Sequence, residues 1–99
     1  MSDHSKLIWE KGAINDLFEL REFLKPKNPK AAANAARCII AAANSLLDQP
    51  YLGHPIDDMP EFYKLSIPFG KYGYVLKYHF DNTNVVILRI WHGRQERNI

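Results

Sequence analysis

The segment ILRIWHGRQERNI, Ile87 to Ile99, turns from apolar bulk to one histidine and two arginines within a few residues. The chemistry on offer there belongs to His92, Arg94 and Arg97. Histidine is the side chain whose ordinary pKa lies close to neutrality, so His92 can take up and release a proton where an arginine cannot. Guanidinium groups clamp phosphate and stabilise charge developing on it. Lys64, Lys77 and Arg89 add three cations in the same half of the chain. Lysine, arginine and histidine without a metal form a set suited to cutting RNA through its 2′-hydroxyl. The same residues also suit a soluble strand end, or a contact for an acidic partner.

Other chemistries find less support. Gly70, Gly73 and Gly93 are isolated turn or bulge positions rather than a phosphate-binding loop. His4, His54, His79 and His92 lack helical i, i+4 spacing, so neither a metal site nor a cofactor is expected. Cys38 falls on an alanine-rich helix stripe and is expected to be buried filler. His54, beside Pro55, is expected to be solvated in a loop. Asp57-Asp58 suits a turn better than a carboxylate pair, because adjacent side chains point apart. Lys25, Lys27 and Lys30 read as a solvated tip between two helices.

The elements that must position the tail follow from periodicity. Lys6 to Trp9 is a short apolar stretch, expected at a sheet edge. Ala13, Leu17, Leu20 and Leu24 recur at helical spacing between Lys11 and about Lys25, with Ile14, Phe18 and Phe23 widening the stripe. Pro26 ends that helix. Asn28-Pro29 is a helix start, and the alanine-rich run that follows continues as helix to about Leu47. A four-residue link makes the two an antiparallel hairpin. Residues 51–60 form a turn-rich connector. Three strands follow: Glu61 to Pro68, Tyr72 to Phe80 and Val85 to His92, the last two joined by Asp81-Asn82-Thr83-Asn84. The second alternates, with Tyr74, Leu76, Tyr78 and Phe80 on one face and Val75, Lys77 and His79 on the other. The last is apolar on both faces and is expected to be central. The expected class is α+β, in the order β-α-α-β-β-β, with the helical hairpin on one face of a twisted antiparallel sheet. Helices cover one face only, so Lys64, Lys77, Arg89, His92, Arg94 and Arg97 could share a rim or the open face.

Ninety-nine residues, 46% of them hydrophobic and 24% charged, make one domain, residues 1–99, with enough apolar material for a core. A single cysteine excludes an internal disulfide and favours a reducing cytoplasm. No apolar run approaches the roughly 20 residues that span a bilayer, and MSDHSK is unlike a signal peptide, so no membrane role is expected. Residues 1–60 carry seven Lys/Arg against eight Asp/Glu, and residues 61–99 six against three, so the net +2 is concentrated in the second half. That asymmetry hints at an anionic partner.

The chain resembles the RelE/ParE superfamily, the toxins of type II toxin–antitoxin modules. The resemblance runs through Trp9, Ala13, Asp16-Leu17 and Leu20, then Asn28-Pro29, Ala32, Leu46-Leu47, Pro50 and Gly53, Tyr63-Lys64-Leu65, FGKYGYVLKY (69–78) and VVILRIWHGRQER (85–97). It implies a microbial-RNase-like fold of the same β-α-α-β-β-β order, and a cognate antitoxin that wraps and silences the toxin in a hetero-oligomer. RelE-like members cut mRNA on the ribosome with basic residues on the sheet and a Tyr or His near the C-terminus; ParE-like members poison DNA gyrase. His92, Arg94 and Arg97 match the family's C-terminal basic run and would be the catalytic residues of a RelE-like nuclease. Lys64, Lys77, Arg89, Arg94 and Arg97 would meet the target or its phosphates, and Leu20, Leu24, Arg94 and Arg97 the antitoxin. Asn98-Ile99 follow Arg97 where RelE-like members commonly place a tyrosine, and His92-Gly93-Arg94 is similar to the ParE-like ending. Gyrase inhibition is therefore the first expectation and ribosome-dependent mRNA cleavage the second; a catalytically silent binding module is the third.

Overall fold

The computed structural model describes residues 5–95; Arg97 and the rest of the last four residues lie outside them. Strand β1 (Leu7–Trp9) leads directly into helix α1 (Lys11–Leu24), which is followed by α2 (Pro29–Ser45), β2 (His54–Ile56), β3 (Met59–Ile67), β4 (Tyr74–Phe80), β5 (Val85–His92) and a single 3₁₀ turn, Gly93–Gln95. The five strands form one sheet in the order β1-β5-β4-β3-β2.

Each helix forms for a local reason. Asn28 Oδ1 accepts the Ala31 N–H at 3.0 Å, and Pro29 occupies the first turn, so α2 starts where its cap places it. Ala32, Ala35, Ala36, Ile39 and Ala43 are its buried face. Ala13 is buried on α1, and Leu17, Leu20 and Leu24 pack half-buried against the core. Ile14, Phe18 and Phe23 depart from the expected stripe: they are exposed by 53%, 59% and 65%. A helix against one layer buries only a stripe; Ile14 and Phe18 lie beyond one flank of it and Phe23 beyond the other, where it lines a cavity between α1 and β5. Cys38 is likewise exposed rather than buried. It sits one residue before Ile39 and so turns about 100° away from the core.

The sheet is mixed rather than wholly antiparallel. β2, β3, β4 and β5 pair antiparallel in sequence, but β1 pairs parallel to β5, matching Leu7 with Val85 and Trp9 with Ile87. Part of the connector is also a strand: β2, with His54 exposed in it, pairs with Tyr63 and Lys64 of β3. Asp58 and Glu61 adopt left-handed φ of 63° and 72° around the turn that reverses it.

Burial separates the two faces. Leu65, Ile67, Tyr74, Leu76, Tyr78, Val85, Ile87 and Ile90 share one core cluster with the helices. Between Lys77 and Tyr78 the register shifts, so that Lys77 opposes Arg89 and Tyr78 opposes Ile87. Leu88 is the extra residue of a bulge, and Ile87 and Ile90 both point to the helices despite their odd spacing. Tyr78 fastens the connector to the sheet: its hydroxyl donates to Pro50 O at 2.8 Å and accepts the Gly53 N–H at 3.0 Å. Burial raises the pKa of that phenol, which holds its proton for the bond to Pro50.

Candidate functional site

Strand register decides which cations meet. Lys64 stands directly opposite Lys77, and Lys77 directly opposite Arg89. Alternation places this row on the face away from the helices, with Phe62 and His79 on one side of it and Val75 and Trp91 on the other. Like charges directly opposite one another destabilise a sheet, and Asp16 relieves this at the Arg89 end of the row. Lys77 Nζ lies 5.6 Å from the Phe62 ring centre, and Phe62 packs on the His79 imidazole at 4.8 Å. His79 Nε2 is 3.2 Å from Glu61 Oε1. The face therefore combines cations, aromatic rings and a His–carboxylate pair. Glu61 and His79 were missed as site residues because Glu61 reaches His79 through a left-handed backbone conformation that composition does not signal.

His92 lies elsewhere. It opposes Tyr74 on β4 and packs edge-on against that core tyrosine, with ring centres 5.5 Å apart, and against Tyr72 at 5.6 Å. Its side chain thus belongs to the helix-covered side. Its Nδ1 accepts the Arg94 N–H at 3.1 Å. A neutral imidazole with Nδ1 so engaged carries its proton on Nε2 and presents a donor there, not a base. Arg94 lies over the Tyr72 ring at 5.6 Å. Arg97 is outside the described residues. The register, which sequence alone leaves open, places Lys64, Lys77 and Arg89 in a row, while His92 and Arg94 sit round the end of β5. Alternation along the strand is the reason, since His92 and Arg89 have opposite parity.

A cavity of about 750 Å³ lies between α1 and β5, lined by Leu20, Phe23 and Leu24 on the helix, Tyr74, Ile90 and Trp91 on the sheet, and the charged groups of Asp16, Glu19, Lys77, Arg89, His92 and Arg94. Leu20 and Leu24 are thus its apolar wall. It exists because β1 is three residues long: its pairing with β5 stops at Ile87, and α1 turns across the remaining edge. Asp16 occupies that edge. It accepts the Ile90 N–H at 2.9 Å, Arg89 Nε at 2.8 Å and Arg89 Nη2 at 3.1 Å. The hydrogen bond and charge of Asp16 raise the Arg89 pKa, keeping it cationic. Gly12, one turn earlier, leaves room for the arginine; a Cβ there would come within 3.3 Å of Arg89 Cδ. Asp16 was missed because an acidic residue on an amphipathic helix ordinarily reads as its wet side. Trp91 Nε1 is buried without an acceptor among the described residues. Those residues hold no group of three His, Cys, Asp or Glu that could bind a metal ion, and no helix long and apolar enough to cross a membrane.

Comparison with known proteins bears on this geometry. The family model of the ParE toxin of the type II toxin–antitoxin system parDE matches residues 7–97. The chain belongs to that toxin family. Toxin RelE1 of Caulobacter vibrioides is 35% identical over 85 residues, covering 86% of this chain and 89% of the relative. Toxin RelE3 of the same organism is 37% identical over 86 residues, covering 86% and 90%. Among solved structures, a chain of the chromosomal ParDE system from P. aeruginosa superposes with a TM-score of 0.74 over 92% of this chain and 98% of its own, at 20% identity. That likeness confirms the α+β fold. The two Caulobacter relatives are named RelE toxins, whereas the matching family model is that of ParE.

Proposed function

We propose that this type II toxin arrests growth by acting on DNA gyrase and is silenced by a cognate antitoxin that covers the groove between α1 and β5. One observation carries the choice of target: His92, which lines the same cavity as Lys77, Arg89 and Arg94, spends its Nδ1 on the Arg94 N–H and so offers no free base beside them. A nuclease needs base, acid and phosphate clamps around one scissile bond. A protein-directed toxin needs only an exposed surface, and the row with its flanking rings supplies one. The antitoxin reading rests on the toxin family and on the groove, whose apolar Leu20–Leu24 wall and cationic Arg94 end suit an amphipathic acidic segment.

The competing reading, ribosome-dependent mRNA cleavage, is favoured by the Glu61–His79 pair, which lies on the same open face as Lys64 and Lys77. Purified toxin added to a supercoiling assay and to a translating-ribosome cleavage assay separates the two. Inhibited supercoiling that persists in His92→Ala is expected. Codon-positioned mRNA cuts that vanish in His79→Ala or His92→Ala, with supercoiling untouched, would reverse the choice.

A further inference from the structure

Arg89 is held in a particular way. Asp16 engages it through Nε and Nη2, the side-on edge of the guanidinium, with the carboxylate itself only 12% exposed and the arginine side chain 54% exposed. A guanidinium fixed side-on keeps Nη1 and the second Nη2 hydrogen for another acceptor, and a planar fork with a preset orientation loses little freedom on binding one. The backbone is fixed as well, because the same carboxylate holds the Ile90 N–H. Asp16 offsets the charge of Arg89, and Glu19 lies on the same wall, but Lys77 stands directly opposite Arg89 and Arg94 lies at the far end of the cavity, so the groove retains attraction for an anion.

We propose that Asp16 is a positioning residue that presents Arg89 as a preformed receptor for a carboxylate of the antitoxin segment lying in this groove. The inference rests on the antitoxin reading given above and deepens it. The apolar wall at Leu20 and Leu24 seats the segment, and the Arg89 fork fixes its register by accepting one acidic side chain at the strand edge. Asp16 itself does not touch the partner.

The test is a double-mutant cycle on the full-length toxin, with its purified cognate antitoxin as the probe and binding measured at several salt concentrations. Arg89→Gln is expected to weaken binding roughly tenfold and to flatten its salt dependence. Arg89→Lys, which keeps the charge and loses the fork, is expected to recover little of that loss. Asp16→Asn retains an acceptor for the Ile90 N–H, and is expected to weaken binding roughly tenfold in the wild-type background but less than about twofold beside Arg89→Gln. An equal penalty in both backgrounds would mean that Asp16 acts only by shaping the groove, and would overturn the proposal. Full affinity in Arg89→Lys would overturn it independently of how Asp16→Asn folds. A wild-type chain that ignores the antitoxin would remove the antitoxin reading and this inference with it, whereas binding without coupling removes the inference alone.

Discussion

The two faces of the sheet obey different rules. On the helix-covered face Leu65, Leu76, Tyr78 and Ile87 are buried, and the one polar group at its centre, the Tyr78 hydroxyl, has both a donor and an acceptor partner. On the open face Lys64, Lys77 and Arg89 stand side by side in register, against the preference of an antiparallel pair for opposite charges. One face is built to hold the fold together. The other gathers cations in register, with Asp16 relieving the charge at the Arg89 end.

Substitutions on the two faces should therefore separate stability from activity. Ile87→Ala removes a fully buried side chain where α1 meets the sheet, and is expected to cost about 2–5 kcal/mol in chemical denaturation. An effect under about 1 kcal/mol would mean that the covered face is not the stabilising one. Tyr78→Phe leaves the Gly53 N–H and the Pro50 carbonyl without their partner, and is expected to cost about 1–3 kcal/mol, seen as a lower melting midpoint. On the open face, Lys77→Ala is expected to change stability by no more than about 0.5 kcal/mol, and toward greater stability, while reducing growth arrest on induction. Loss of stability with arrest intact would erase the distinction drawn between the faces.

The smallest expected effect lies in the β4–β5 loop. Asp81 Oδ1 accepts the backbone N–H groups of Asn84 and Thr83, and these bonds hold its carboxyl below the usual value of 3.8. A depressed folded pKa stabilises the native state above the unfolded value, and that contribution disappears as pH falls through the folded one. Denaturation of wild type and Asp81→Asn should therefore differ at pH 7 and converge as the pH falls below the depressed folded pKa, where the carboxyl is protonated in both folded and unfolded chains. A difference unchanged by acid would assign the effect to loop geometry.

Much of the architecture could be read from residue order. The Ala13–Leu17–Leu20–Leu24 spacing and the Asn28-Pro29 start specify the hairpin, because helix periodicity and capping are local properties. The alternation from Tyr74 to Phe80 likewise foretold which face would be covered. What escaped depended on long-range register. A one-residue bulge at Leu88 leaves no mark in composition, yet it sets the side on which every later β5 residue lies. Parallel pairing of Leu7 with Val85 could not be inferred from either segment alone. Phe18 and Phe23 were misassigned because apolar character alone does not distinguish a buried face from an exposed one. At the site, five cations were visible as candidates, but the row formed by Lys64, Lys77 and Arg89, the place of Arg94 at the strand end, and the contacts of Asp16 and Glu61 required the third dimension.

The pairing of β1 with β5 has a consequence for timing. Residues 7–9 hydrogen-bond to residues 85–87, so the first strand has no place to dock until nearly the whole chain exists. Contacts of such sequence separation form late, because the entropy of closing the intervening loop must be overcome first. At a synthesis rate of roughly 5–20 residues per second, the nascent chain spends several seconds with α1 formed and its strand partner still missing. Asp16 has nothing to hold during that interval, and the groove beside it has no second wall. The groove and the Asp16–Arg89 pair exist only after the last strand has left the ribosome.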